Sequence, residues 1–475
     1  MFDGAELLTR ISDAARAEAQ AAAARLVAID ELFRLRWAQH GGREEWAADT
    51  CDEVAAEIAA ALSTSLAMGH SNLRYARAMR ERLPRAAAVF QAGDIDFRLF
   101  RTIVFRTDLI VDAEALAAVD AQLAIKAPRW PSMTSWKLSS EVDRVVARID
   151  RDAVRRSRND AGDRYLEFTP MEQGMALVNG SVFATDGQAF DRRIDEIART
   201  VCPDDPRTLR QRRADALGAL AAGRDRLACG CDKFSCPMAS GPRQSSSVVI
   251  HVVADRATVD GSGAAPGFLY GDGIIPAEIV RELAKTAKLQ AITLPMSPET
   301  GYVPSRSMAD FVRARDLTCR APGCDRPATQ CDIDHTVPHA EGGPTHPSNL
   351  KCLCRKHHLL ETFWGWRDEQ LADGTVIWSL PRGRRYVTLP GGAVLFPGLA
   401  ASAVLPPTVT TPEADCGERH AMMPRRARTR AQNRVARITA ERQHNRMMRE
   451  SRRSRWQYAH SRPRETSPDD EPPPF

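Results

Sequence analysis

Between residues 319 and 366 the chain concentrates metal-ligand and acid–base side chains in one run, CRAPGCDRPATQCDIDHTVPHAEGGPTHPSNLKCLCRKHHLLETFWGW. Cys319 and Cys324 form one close pair, and Cys354 and His357 form a C-x-x-H pair about 30 residues later. A structural zinc site takes four soft or borderline ligands in a tetrahedron, commonly as two close pairs separated by a loop. Cys319, Cys324, Cys354 and His357 supply that count, with Pro322-Gly323 turning the chain inside the first pair. So short a segment has little apolar material of its own, so metal binding would supply much of its folding energy. Cys331 and Cys352 are surplus thiols that read as small buried hydrophobes, with Cys331 left as an alternative ligand to Cys319 or Cys324.

The residues inside the loop suit chemistry. Asp334 offers oxygen to a hard cation, and His335 points the other way if the two lie on a strand. Gly342-Gly343-Pro344 turns the chain, Asn349 follows, and a helix from Leu353 to Glu361 carries His357 and His358. Neighbouring helical residues point about 100° apart, so one histidine can face the zinc and the other a second site. Imidazole, with an ordinary pKa near 6.5, suits a general base. His339 and His346 read as exposed loop residues, Trp364 and Trp366 as packing under the helix end, and Arg313 and Arg315 as within reach of a phosphate.

Asp334-His335, Asn349 and His358 resemble the His-Asn-His motif of the HNH endonucleases, the ββα-metal nucleases. The run CDIDHTVPHAEGGPTHPSNLKCLCRKHH is similar to the zinc-supported HNH domains of many actinobacterial proteins, where the domain follows a long, mostly helical region of unknown function. The resemblance covers about a tenth of the chain. It implies a DNA endonuclease in which His335 activates water, Asn349 holds His335 in orientation, and Asp334 and His358 bind one catalytic divalent ion. Oxygen ligands suit Mg²⁺; the His358 nitrogen pulls toward Mn²⁺ and softer ions. The competing reading is a zinc-containing DNA-binding module that cuts nothing, although no zinc scaffold requires the Asp334-His335 pair. A third class is an interaction protein whose helical region binds a protein partner.

The elements that must position these residues follow from length and pattern. A chain of 475 residues suggests two to four domains. Abundant alanine favours helices, and a net charge of +5 is too mild to define a partner. The N-terminus does not read as a signal peptide, and there is no apolar run of about 18 residues to span a membrane. Most of the eleven cysteines sit in metal-like spacings, which fits a reducing cytoplasm better than a disulfide framework. The expected architecture is mainly α with a small α/β segment, a C-terminal zinc-supported ββα-metal domain and a disordered basic tail. Its boundaries fall at 1–240 (helical), 241–305 (small α/β, continuous with the preceding part), 306–390 (nuclease) and 391–475 (linker and tail).

Helical periodicity marks Ala14 to Phe33, Cys51 to Leu66 with Asp49 or Thr50 as cap, Ser71 to Leu83, Asp96 to Thr107, Ala113 to Ala127 and Thr134 to Arg158. Arg74, Arg77, Arg80 and Arg82 read first as a solvated helix face and second as a nucleic-acid surface. The period changes near Tyr165 to Val178, where a short strand or hairpin is expected. Cys229, Cys231 and Cys236 fall within eight positions but lack a local fourth ligand; Asp232, His251 or a distant cysteine would be needed. SSVVIHVVA, Ser246 to Ala254, predicts a strand buried on both faces, followed by a helix from Ala277 to Thr286 and a strand from Leu289 to Leu294. Thr375 to Leu380 and Arg385 to Leu389 read as a hairpin. From Pro424 to Arg464 the chain carries 14 arginines opposed by Glu441 and Glu450. That stretch reads as unfolded alone, with Arg434, Arg437, Arg442, Arg446, Arg449 and Arg453 able to lie along one helix on nucleic acid.

Overall fold

The structure is a computed structural model and describes residues 3–461 apart from 131–132, 155–164, 172–173, 183, 232, 234–235, 237, 239–249, 286, 382 and 401–421. The chain divides into two compact units: Met1–Arg156 with Ile292–Phe475, and Ser157–Ala291. Among the described residues no helix is long and apolar enough to cross a membrane.

The first unit opens with seven helices, α1 (Gly4–His40), α2 (Thr50–Ala61), α3 (Leu66–Glu81), α4 (Pro84–Gln91), α5 (Phe97–Arg106), α6 (Ala113–Lys126) and α7 (Ser135–Ile149). Local sequence sets their starts. Asp49 caps α2 in a reciprocal capping box with Asp52; Ser65, Asp96, Asp112 and Thr134 cap α3, α5, α6 and α7; and Pro84 opens α4 where its missing N–H costs nothing. Leu26, Phe33, Val54, Ile58, Leu83, Phe90, Phe100, Ile103, Leu123 and Val146 form one apolar core between them. Three of the four α3-region arginines are structural. Arg77 pairs with Glu81, Arg80 with Asp30 at 2.7 Å, and Arg82 donates to the carbonyls of Thr107 and Ile110.

In the second unit, β1 (Tyr165–Pro170) and β2 (Ala176–Ser181) pair antiparallel, as the change of period suggested. They precede a helical pair, α8 (Ala184–Ala198) and α9 (Leu209–Ala221), whose apolar cluster among the described residues buries Ile194, Ile197, Ala216, Ala219 and Leu227. A three-stranded sheet follows: β3 (Val252–Val253), then α10 (Arg256–Val259), then β4 (Gly267–Leu269) and β5 (Gly273–Ile275), with α11 (Ala277–Ala284) closing the unit. Two sequence expectations fail here. The continuous buried strand over Ser246 to Ala254 shrinks to Val252–Val253 with Ile250 exposed, while 246–249 lie outside the described residues. Leu289 to Leu294 forms no strand. β-branched composition favours extended chain but supplies no pairing partner.

The first unit resumes with α12 (Arg306–Asp316), capped by Ser305. Strands β6 (Cys331–His335) and β7 (Leu350–Cys354) pair antiparallel, and α13 (Arg355–Phe363) follows directly. The expected hairpin gains a third strand: β8 (Arg367–Gln370), β9 (Val376–Ser379) and β10 (Arg385–Thr388) form an antiparallel sheet with β9 in the centre. Helix α14 (Gly391–Leu395) packs back on α12, and α15 (Arg430–Ser461) ends the described chain.

Helix α15 is the largest departure from expectation, because a stretch read as unfolded alone is a helix docked on the bundle. Ile438 enters the bundle core. Arg426 and Arg430 bind Asp49 and Asp52 at 2.5–2.8 Å, Arg434 and Arg437 bind Asp108, Arg442 binds Asp150, and Arg446 and Arg449 bind Asp152. Five of the six arginines that the spacing aligns on one helix, Arg434, Arg437, Arg442, Arg446 and Arg449, find carboxylates inside the chain.

Candidate active site

Two strands and a helix bring the chemistry together. In the β6/β7 register Cys331 faces Cys354, Asp334 faces Lys351 and His335 faces Leu350. Asp332 and Asp334 therefore share one face of the sheet, the face that meets α13, and His335 takes the other. α12 hands the chain to Cys319 through Leu317, in the left-handed region at φ 61°. Asp316 fixes this entry by accepting the Cys352 N–H at 2.8 Å. Arg315 was expected near a phosphate but is buried, bonding Asp316 and the carbonyls of Pro347 and Leu350. It anchors the loop that carries Asn349.

The zinc expectation meets a matching cluster. The ligand atoms of Cys319, Cys324, Cys354 and His357 all lie within 4.8 Å of one another. His357 Nδ1 is 3.5 Å from Cys319 Sγ and 3.3 Å from Cys354 Sγ, and Cys324 Sγ is 4.0 Å from Cys354 Sγ. Bond lengths of about 2.3 Å to sulfur and 2.05 Å to nitrogen in a tetrahedron require separations of roughly 3.6–3.8 Å, so the set fits zinc. Cys319 Sγ accepts the Cys354 N–H at 3.3 Å. Hydrogen bonds from Cys319 and Cys324 drive the Cys354 thiol far down, while burial pushes Cys319 up. A cluster that settles on one shared thiolate wants a cation to ionise the rest. Gly323 permits the turn: at φ +72° a Cβ would meet the Thr64 carbonyl oxygen at 2.3 Å, so the knuckle lies against the end of α2. Of the surplus thiols, Cys352 is fully buried and Cys331 faces the carbonyls of Arg326 and Pro327, outside the cluster.

His335 is buried, and its Nε2 lies 2.9 Å from Thr345 Oγ1. The Thr345 hydroxyl gives its only proton to the Gly301 carbonyl at 2.6 Å. It can therefore only accept from His335, which places the ring proton on Nε2 and leaves Nδ1 as the lone-pair nitrogen. Burial pushes the imidazole below its ordinary range, opposed by the Asp334 charge and reinforced by His339 and Lys351, so the ring is neutral at pH 7. Tyr302 stacks on it at 5.3 Å and 16°, and His339, half-buried on a short turn, meets it edge-on at 5.7 Å. Asn349 does not touch the imidazole. Its Oδ1 accepts the Val337 N–H at 2.8 Å, and its Nδ2 donates to the carbonyls of Val337 and Pro344 at 3.0 Å. It closes the loop two residues beyond His335. Gly343 allows that closure, since a Cβ there would sit 1.9 Å from the Val337 carbonyl oxygen. His346, expected on an exposed loop, is buried against Ser348.

On the α13 side, His358 Nε2 stands 3.4 Å from Asp334 Oδ1. Two ligands of one ion at bonds of about 2.1 Å lie roughly 3.0–3.5 Å apart, so the pair fits a shared divalent cation. The other nitrogen of His358, Nδ1, is held by Asp332 at 2.9 Å, the outer carboxylate that orients a metal-binding imidazole. Lys351, fully buried, bridges Asp334 at 2.7 Å and Asp368 at 3.0 Å; burial opposes its charge, but these two carboxylates outweigh it and raise its pKa. Glu361, one turn beyond His358, has its carboxyl pushed up to about 8 by burial and the Asp334 charge. Sequence reasoning missed Asp332, Thr345, Lys351 and Tyr302. Only Asp332 carried a signal, its i, i+2 spacing from Asp334 on a strand. Trp364 and Trp366 pack under the helix as expected, with Trp364 Nε1 bonded to the Ala48 carbonyl of the bundle.

Comparison with known proteins agrees with this geometry. Residues 13–316 match the model of a domain of unknown function, DUF222, and residues 318–363 match that of the HNH endonuclease domain. The uncharacterized protein Rv3776 of Mycobacterium tuberculosis is 45% identical, over 93% of this chain and 90% of its own length. The uncharacterized protein Rv2100 of the same organism is 44% identical, over 93% of this chain and 87% of its own length. No solved structure matches the chain.

Proposed function

The chain belongs to the DUF222 family and carries an HNH endonuclease domain after the DUF222 region; from that premise we propose that it is a metal-dependent endonuclease that hydrolyses DNA phosphodiester bonds. One observation carries the reading. A neutral histidine with its proton fixed on Nε2 stands on β6 beside Asp334, whose carboxylate pairs with the His358 imidazole of α13 at a spacing that suits one cation. A Cys₃His staple alone accounts for neither.

In this mechanism His335 Nδ1 accepts the proton of a water attacking the scissile phosphorus. The Asp334 charge, already felt by the ring, stabilises the imidazolium that results. Thr345 and Gly301 hold the Nε2 proton, so the ring cannot present the wrong nitrogen. Asn349 keeps the backbone beyond His335 from drifting, and Tyr302 limits rotation of the ring. Asp332 turns His358 so that its Nε2 faces Asp334. A divalent cation such as Mg²⁺ or Mn²⁺ on Asp334 and His358 would supply positive charge for the phosphate and the leaving oxygen.

We place DNA contact at the nuclease domain first, because seven tail arginines are already paired within the chain. A reducing cytoplasm would keep the cysteine ligands as thiols. The test is nicking of supercoiled plasmid by the full chain with Mg²⁺, Mn²⁺ or EDTA, beside His335→Ala. Metal-dependent nicking by the wild type alone supports the proposal. Equal activity in both proteins removes His335 as the base. DNA binding by a wild type that never cuts supports the non-catalytic zinc module instead.

A further inference from the structure

A second group of soft ligands lies in the 157–291 unit and shares no residue with the candidate active site. Cys229, Cys231 and Cys236 lack a fourth partner in the local sequence, and the fold supplies it from the loop between α8 and α9. The Sγ atoms of Cys202, Cys229, Cys231 and Cys236 all lie within 4.8 Å of one another, with Cys202 and Cys229 at 3.4 Å. All four are free thiols and half-buried.

The surrounding chain is built to hold them. Asp205 accepts the Gly230 N–H at 2.8 Å, and Arg207, itself paired with Asp205, donates to the Ala228 carbonyl at 2.7 Å. The Leu227 N–H reaches Thr200 Oγ1 at 2.9 Å, and Lys233 meets Asp204 at 2.6 Å. Four polar contacts therefore stitch the 200–207 loop to the 227–233 segment. The Cys236 N–H bonds to the Lys233 carbonyl, and the Cys229 N–H reaches the Met238 carbonyl. Backbone N–H groups two residues on, from Asp204, Cys231 and Lys233, point at the sulfurs of Cys202, Cys229 and Cys231. Amides aimed at sulfur hold it in place as a ligand, the outer hydrogen bonds that orient a metal's donors.

We propose that Cys202, Cys229, Cys231 and Cys236 bind a second structural zinc ion that locks the α8–α9 pair to the segment following it. A tetrahedral S₄ set selects zinc or iron among common metals, and zinc, which has no redox chemistry, suits a structural role. Binding is a simple exchange: four thiols lose four protons to solvent as one Zn²⁺ enters. The product carries two negative charges, and Arg207 and Lys233 sit beside it as counter-cations. The energetic need is visible in the core. Among the described residues the apolar cluster of the helical pair holds five buried residues, two of them alanine, and a metal staple adds to so small a core.

The test is metal content of the full-length protein by plasma mass spectrometry, joined to zinc K-edge absorption of the same sample. Two zinc ions per chain and an average of about 3.5 sulfurs per zinc are expected, midway between a Cys₄ and a Cys₃His site. Cys202→Ser and Cys236→Ser should each lose one zinc and keep the other. The Cys319→Ser protein should retain a zinc with four sulfurs. The absorption measurement needs no variant, so a misfolded mutant does not leave the question open. One zinc per chain with three sulfurs overturns the proposal. So do two zinc ions that survive Cys202→Ser and Cys236→Ser, iron in place of zinc, or a disulfide among the four cysteines. None of these outcomes depends on whether the HNH site cuts DNA.

Discussion

Thr345→Val separates the imidazole's chemistry from its mere presence. The threonine hydroxyl has one proton, donated to the Gly301 carbonyl at 2.6 Å, so its contact with His335 Nε2 at 2.9 Å is an accepted hydrogen bond. Valine keeps the shape and removes the acceptor. A buried N–H left without a partner costs about 1–3 kcal/mol. That cost falls on the tautomer with the proton on Nε2, the one whose Nδ1 can act as a base. The tautomer with the proton on Nδ1 escapes it. The ratio of the base-competent tautomer to the other should therefore fall by roughly 5- to 150-fold, and the single-turnover rate by up to that factor. The assay is plasmid nicking at saturating protein, with zinc content and circular dichroism as checks that the fold survives. Thr345→Ser restores the hydroxyl and should recover a rate within about threefold of wild type. If Thr345→Val nicks within twofold of wild type while His335→Ala is inactive, the relay through Thr345 does not set the base and the reasoning is wrong.

Two further outcomes follow from burial and charge. Deleting residues 425–475 should lower the melting temperature by several degrees, because Asp49 and Asp52, almost wholly buried, lose Arg426 and Arg430. Unpairing a buried carboxylate costs about 3–5 kcal/mol, less here because Arg430 is about a third exposed; unchanged melting with weakened DNA binding would instead assign those arginines to DNA. Glu53 has its carboxyl pushed up to about 8 by burial and by Glu57, against Arg36 and Arg43. A raised carboxyl pKa means the folded state holds a proton that the unfolded state has released, so this group's stability contribution falls as pH rises from about 4.5 to 8. Glu53→Gln should accordingly gain stability relative to wild type at pH 8.5 but not at pH 5 in urea titrations, and a pH-independent difference would count against the assignment.

What the sequence made legible was whatever depends on near neighbours. The four zinc ligands stand in two short pairs, and Asp334-His335 is a dipeptide, so spacing alone exposed them. Helices α2, α5 and α6 declared themselves by apolar period, and α2 also by its cap Asp49. Whatever depends on long-range pairing stayed hidden. Cys202 is separated from Cys229 by all of α9, so the fourth thiol has no sequence signal. Thr345 and Tyr302 act on His335 from chain segments that only the fold brings together. The tail misled for the same reason: its arginines form one dense run, whereas Asp49, Asp52, Asp108, Asp150 and Asp152 are scattered over a hundred residues. Only the folded bundle lines those carboxylates up against α15.

The first turn of α13 accounts for why the HNH domain and the helical bundle form one compact unit. Lys356, His357 and His358 are consecutive, and at about 100° per residue they must face three different surroundings. Lys356 reaches Asp52 at 2.8 Å and the Ala47 carbonyl, on the bundle's α2 side. His357 joins Cys319 and Cys354 in the zinc cluster. His358 stands between Asp332 and Asp334 on the sheet. Rotating or fraying this turn would break all three attachments together. The bundle thus helps fix the azimuth of His358 through Lys356, and Asp52 shares that task with Arg426 and Arg430 of the tail. A pair of carboxylates at one helix N-terminus, Asp49 and Asp52, therefore ties the bundle, the tail and α13 to a common point, which is more than a short HNH segment could secure by itself.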